Sequence, residues 1–406
     1  MSQPQWWIGI DLSSKEHELC LVDATGKVRR HGRLQHDPRG MAKLAQVVDD
    51  ISQGQPQTVA AAVETPRGTV VDVLLDRGVH VYSINPKQLD RFRDRHTVAG
   101  AKDDSLDAYV LADSLRTDTH LFHLVEPLPE ENYRLRELSR TLEELEHVHR
   151  QQANRLWSLL SRYFPVLIRF CSGADEPWLW ALLQKVGTPQ AAAKLSAYQV
   201  RLILKPFHIR RISPDELVQA FNEPGILPGP VTAEACSQHV QTLVEQLVLF
   251  HRQIKQCRSD IKAILAKPAA PNDADQPSDK DIVLSMAGIG WKTGSILLSE
   301  ACHAIRKADY RTLRGQSGVA PVTRSSGKKS ITLMRRACDH RLRKALHHAA
   351  GVAVLHVSPW HLIYSRIRAK GGSHARALRQ VADRMLYVLT TMLQNRTLFD
   401  IQRLNC

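Results

Sequence analysis

Short apolar runs alternate with stretches of helical period between residues 5 and 85, and no other feature restricts the fold of the chain as strongly. Residues 6–10 are apolar and bounded by polar residues, as a buried strand is. Residues 18–22 and 27–34, joined by the turn Asp23-Ala24-Thr25-Gly26, form a hairpin. Residues 38–51 have helical periodicity, and 58–63 read as a fourth strand. Residues 68–77 are helical, and 79–84 are a fifth strand closed by Asn85-Pro86. Three strands in a meander, then two on helical crossovers, predict a mixed sheet covered by helices.

Carboxylates stand where these segments end. Asp11 follows the first strand and Glu64 the fourth. A carboxylate at the end of a buried strand is costly unless it meets a cation. Asp104 and Asp107 lie three apart in the helix-forming stretch 102–112 and so share one face. Two strand-end carboxylates facing a helical pair can bind two hard divalent cations, an apparatus suited to cutting phosphodiesters. Asp94 and Asp103 read as ordinary surface acids, Asp103 because it points off the face of the pair. The strand order is that of ribonuclease H-like folds.

At 406 residues the chain exceeds one typical core and predicts two or three domains. Its composition, 43% hydrophobic and 24% charged, is globular. No run of about 18 uncharged apolar residues occurs, so no membrane span is expected. The N-terminus lacks the basic-then-apolar layout of a signal peptide. Seven scattered cysteines without CxxC spacing predict reduced thiols in a cytoplasm rather than disulfides or structural zinc. The net charge of +14 is unevenly spread, with 22 Lys and Arg against 6 Asp and Glu in residues 280–406. A basic last third behind a carboxylate-bearing front suggests a polyanion held at one end and cut at the other, so nucleic acid is the expected partner.

Residues 130–161 and 233–266 are long, Leu-rich and amphipathic, fit either to pair as an antiparallel arm or to self-associate across subunits. A helical insertion (about 164–232) separates them, with Trp178 and Trp180 expected in its core. Residues 267–280 are rich in Pro, Asp and Ala and read as a linker. Beyond it, a helix, Gly288-Ile289-Gly290 and a second helix have the pattern of a helix-hairpin-helix. In that pattern the glycines and Lys292 would bind a phosphate at a helix N-terminus. Residues 315–329 read as a small-residue loop laced with Arg324, Lys328 and Lys329, followed by Arg335 and Arg336. A Ser before a Gly on such a mobile loop is either a nucleophile towards phosphorus or part of a phosphate-gripping turn.

These segments together resemble the DEDD-type transposases of bacterial insertion sequences, which act as RNA-guided serine recombinases. The resemblance covers nearly the whole chain. It rests on IGIDLSSKEHELCLVD with Asp11, AVETPRG with Glu64, VYSINPKQ, and AKDDSLDAYVLAD with Asp104 and Asp107. In the last third it rests on LSMAGIGWKTGSILLSE and GQSGVAPVTRSSGKKSITLMRRACDHRLRKAL. It implies a RuvC-like domain (1–125) whose four carboxylates hold magnesium, with manganese as a substitute. A helical, coiled-coil arm (126–266), the linker and a mainly helical transposase domain (281–406) would follow. The resemblance further implies that Ser326, before Gly327, attacks the DNA phosphodiester, forms a phosphoserine and frees a 3′-hydroxyl that later rejoins strands. Ser325 directly precedes it. Donor and target DNA, a structured guide RNA and assembly as a dimer to tetramer are implied too, in a bacterial cytoplasm at the nucleoid. The chain departs from compact relatives in Thr65-Pro66 after Glu64 and in its longer insertion.

Other readings stay open on the residues alone. A RuvC-like, structure-specific nuclease would keep the carboxylates and use metal-activated water in place of serine. A non-catalytic nucleic-acid-binding protein would use only the basic third. An actin-like ATPase or sugar kinase fits Gly9-Ile10-Asp11-Leu12-Ser13-Ser14 poorly, since Gly after the Asp and a second glycine-rich phosphate loop are both missing.

Overall fold

The computed structural model describes residues 4–95, 103–223, 229–267, 276–327 and 329–404. It divides into two compact units, Met1–Pro127 and Leu128–Cys406.

In the first unit β1 (Trp6–Asp11), β2 (Glu16–Asp23) and β3 (Val28–Gln35) form the meander, and α1 (Pro38–Ser52) follows. Next come β4 (Val59–Val63), α2 (Thr69–Asp76), β5 (His80–Ser83), α3 (Pro86–Arg93), α4 (Asp104–Asp118) and the short β6 (His123–Leu124). The sheet order is β3-β2-β1-β4-β5-β6. Strands β1, β4 and β5 are parallel to one another, while β2, β3 and β6 join antiparallel. Alternation along the strands sorts two cores. Ile8, Ile10, Leu19, Leu21, Ala61 and Val63 pack with Leu44 and Val48 of α1 and Val70 and Leu74 of α2. Trp7, Cys20, Val22, Ala60 and Ala62 pack on the opposite face with Ala108, Leu111, Ala112 and Leu115 of α4.

Two of these elements have no counterpart in the sequence reading. Asn85-Pro86 ends β5 as expected, but it also starts α3: the Asn85 side chain accepts the Lys87 N–H at 3.0 Å and Pro86 fills the first helical turn. Strand β6 is two residues long and carries no periodicity to read.

In the second unit α5 (Glu130–Tyr163) and α10 (Pro230–Ala266) form an antiparallel pair, with Arg258 on Glu146 and Arg162 on Cys236 marking the opposed directions. This is the first of the two arrangements open to the long helices. Between them run α6 (Pro177–Lys185), α7 (Pro189–Ala192), α8 (Ala197–Leu204) and α9 (Pro214–Phe221). Trp178 and Trp180 are buried in the core that these helices share with the second half of α5, each indole N–H satisfied, by Glu176 and by the Ala174 carbonyl. After α10, part of the expected linker (268–275) lies outside the described residues.

The remaining elements are α11 (Asp279–Ser285), α12 (Trp291–Glu300), α13 (Cys302–Arg306), α14 (Tyr310–Gln316), β7 (Val322–Ser326) and β8 (Lys329–Leu333). Helices α15 (His340–His356), α16 (Ser358–Ala369) and α17 (His374–Asn395) complete them. Leu135 and Leu142 of α5 and Ile254 and Ile261 of α10 share one core with α11, α12, α15 and α17. A buried carboxylate ties this junction: Glu300 of α12 receives both Nε and Nη2 of Arg140 from α5, each at 2.9 Å, and Arg341 from α15. No helix among the described residues is long and apolar enough to cross a membrane.

Candidate active site

Register brings the strand-end carboxylates together. Ile10 pairs with Val63 across parallel β1 and β4, so Asp11 and Glu64, one residue further on, leave neighbouring strands at the same edge. Alternation puts both on the face that carries Trp7, Ala60 and Ala62, the face covered by α4. Helix α4 lies very close to β1: a Cβ on Gly9 would fall 2.0 Å from the Ala108 carbonyl oxygen and 2.6 Å from the Ala112 nitrogen. Glycine at position 9 therefore sets the separation between Asp11's strand and the helix of Asp104 and Asp107.

Asp104 is the first residue of α4 and is exposed, whereas Asp107, one turn on, is buried. Asp103, set apart from the pair in the sequence, is the cap of the helix, its side chain accepting the Ser105 N–H at 3.0 Å. Both oxygens of Asp107 are held by Arg93 of α3, Oδ1 by Nε at 2.5 Å and Oδ2 by Nη2 at 2.8 Å. The hydrogen bonds it donates to Asp107 raise the Arg93 guanidinium above its ordinary range, and the charges of Asp107, Asp90 and Asp11 add to that field.

A fifth carboxylate belongs to the same edge and was not singled out in the sequence. Glu18 of β2 is the cross-strand partner of Asp11, is buried, and is held by Arg33 of β3. The Glu18 hydrogen bond raises Arg33 as well, with Glu16 and Asp104 contributing more weakly. An acid directly before the apolar run Leu19–Val22 of β2 was the legible signal for Glu18. Arg93 has none, because its pairing with Asp107 depends on how α3 packs against α4.

Four carboxylates make a hard-oxygen donor set, the chemistry a divalent cation of the magnesium kind takes. Asp11 and Glu64 leave the sheet on the face that α4 covers, and by its chemistry the donor set is one such an ion takes. Among the described residues no three of His, Cys, Asp or Glu are gathered closely enough to hold a metal, and both oxygens of Asp107 are taken by Arg93.

In the second unit the expected mobile basic loop over 315–329 is corrected: its first residues end α14 and those from Val322 on belong to a hairpin. Val322 pairs with Leu333, Arg324 with Ile331 and Ser326 with Lys329. Gly327, at φ +56°, takes the left-handed turn position that glycine favours. β-branched Val322, Thr323, Ile331 and Thr332 flanking that turn are the strand signal behind the difference. Ser326 ends β7, exposed, on the face of Arg324, while Ser325 lies on the other face and donates to Ser330 Oγ at 3.3 Å. Ser317, the other serine before a glycine in this stretch, is buried and donates back to the Leu313 carbonyl at 2.6 Å.

Helices α11 and α12 do flank Gly288-Ile289-Gly290. Gly288, however, faces the protein rather than a ligand: a Cβ there would meet the Ala349 carbonyl oxygen and the Ala353 Cβ, both at 2.7 Å. Gly290 is open, and Lys292 is paired with Glu146, which also holds Arg258 at 2.9 Å. Arg336 is exposed, and the Nε of Arg335 is buried without a hydrogen-bond partner. Lys328 and the side chain of Lys329 lie outside the described residues.

Residues 8–165 match a family described as "Transposase", of the DEDD type of IS110, and residues 280–366 match the "Transposase IS116/IS110/IS902 family". The mixed sheet with its carboxylate edge and the helical second unit therefore make up a DNA transposase, an enzyme. The mini-circle putative transposase for IS117 of Streptomyces coelicolor is 31% identical over 410 residues, spanning 97% of this chain and 95% of its own. Putative transposase y4uE of Sinorhizobium fredii is 38% identical over 210 residues, 52% of this chain and 58% of its own. An uncharacterized 43.6 kDa protein of insertion element IS110 from Streptomyces coelicolor is 26% identical over 404 residues, 97% of this chain and 95% of its own. The chain belongs to the IS116/IS110/IS902 family of insertion-sequence transposases.

Proposed function

We propose that this transposase cuts DNA with Ser326 as its nucleophile and works as a serine recombinase directed by a structured RNA, in an assembly of two to four chains. The observation that carries the nucleophile is its position: Ser326 is exposed beside a glycine turn on the face of Arg324, whereas Ser317 is buried and Ser325 is turned to the other face. The Ser326 oxygen attacks phosphorus, a phosphoserine ester forms, and the broken P–O bond leaves as a 3′-hydroxyl that takes up the proton the serine gives. Arg324 offsets the charge that builds on the phosphoryl oxygens. Lys328, Lys329, Arg335 and Arg336 extend the same basic stretch along the nucleic-acid backbone.

Asp11, Glu64, Asp104 and Asp107 would hold magnesium, or manganese in its place, which when bound supplies Lewis-acid polarisation of the phosphodiester. Asp103 serves the helix rather than the ion. Strand cleavage on DNA carrying the element's ends tests the whole reading. Asp11→Ala and Asp104→Ala should abolish it with DNA retention nearly intact, while Asp103→Ala should cleave at a rate near the parent's. Ser326→Ala should retain DNA but yield no protein-linked product on a denaturing gel. Continued cleavage by Ser326→Ala with magnesium would make water the attacker and the protein a nuclease.

A further inference from the structure

Arg93 and a divalent cation want the same atoms. The guanidinium fork occupies both oxygens of Asp107 at 2.5 and 2.8 Å, a bidentate geometry that leaves that carboxylate little to offer an ion. Asp107 is buried at 3% exposure, so it cannot turn to solvent to serve both. Arg93 can move, because its side chain is 21% exposed and its Nη1 already reaches the exposed Asp90 at 3.2 Å. A guanidinium fork fits a phosphate as well as it fits a carboxylate.

Resting on the reading that the four carboxylates hold a divalent cation, we propose that Arg93 is a positioning residue that withholds Asp107 until a nucleic-acid phosphate draws the guanidinium away. Cation and nucleic acid then bind cooperatively, each raising the affinity for the other by the same factor. Without nucleic acid, Arg93 neutralises Asp107 and keeps both of its oxygens.

The test is Mn2+ binding followed by calorimetry and electron paramagnetic resonance, with and without a short duplex DNA. Binding that Asp11→Asn abolishes is assigned to the site. Wild-type protein should bind Mn2+ weakly alone, and duplex should tighten that binding by about 10-fold, within the usual span of coupling between sites. Arg93→Gln should bind Mn2+ alone about 10-fold more tightly than wild type and lose most of the response to duplex, the coupling having been removed. Arg93→Lys, which keeps the charge without the fork, should move in the same direction and covers the case in which the Gln variant does not fold. Wild-type affinity in both variants, or weaker binding in both, would overturn the proposal while leaving the carboxylate reading intact. Absence of any Asp11-dependent Mn2+ binding, in wild type and variants alike, would overturn both together.

Discussion

A methyl group on Gly9 would sit 2.0 Å from the Ala108 carbonyl oxygen, backbone against backbone, with no flexible side chain to yield. The only relief is to lift α4 off β1, which loosens the packing of Ala108, Leu111 and Ala112 on the sheet. Gly9→Ala should therefore lower stability by about 1–3 kcal/mol, the range for an overpacked core, read as a fall in urea midpoint at unchanged slope. Asp107 rides on the lifted helix, so cleavage should drop further than the folded fraction does. A variant as stable as the parent would mean that α4 does not lie where the Gly9 contact places it. Asp11 and Glu64 stand out in the sequence because each ends an apolar segment, and Asp104 and Asp107 because they lie three apart in a helical stretch. Their arginine partners were not, because Arg33 and Arg93 reach Glu18 and Asp107 through strand register and helix packing that residue types do not announce.

Buried charge joins elements of this protein beside their apolar packing. Glu300, 6% exposed on its side chain, accepts from Arg140 and Arg341 and so fastens α5, α12 and α15 to one another. Removing it leaves two guanidinium groups partly buried, and loss of one member of such a network costs about 3–5 kcal/mol. Arg341 keeps Glu143 at 2.9 Å, so Glu300→Ala should fall at the low end, about 3 kcal/mol by urea denaturation. A loss within experimental error would show the network to be incidental to the junction. The strands β1, β4 and β5 could be read as short apolar runs bounded by polar residues, and α1, α2 and the two long helices from their helical period. Helix α3 was hidden by a proline turn that serves as both stop and start, β6 by its two-residue length, and the β7–β8 hairpin by small residues that resemble a loop until Gly327 is seen as its turn.

Across the whole molecule the charge is divided, with 22 of the 55 Lys and Arg but only 6 of the 41 Asp and Glu in residues 280–406. That division suits a protein that grips a polyanion through one region and presents carboxylates from another. Its central chemical claim is that the grip includes a covalent bond made by one hydroxyl. The most direct measurement is mass spectrometry of protein trapped on DNA in mid-reaction with magnesium, digested to peptides and fragmented along the β7 segment. A nucleotide-phosphate adduct should be localised to Ser326 and be absent from the Asp11→Ala protein. An adduct on Ser325 or any other side chain, or complete cleavage with no adduct on any peptide, would contradict that claim.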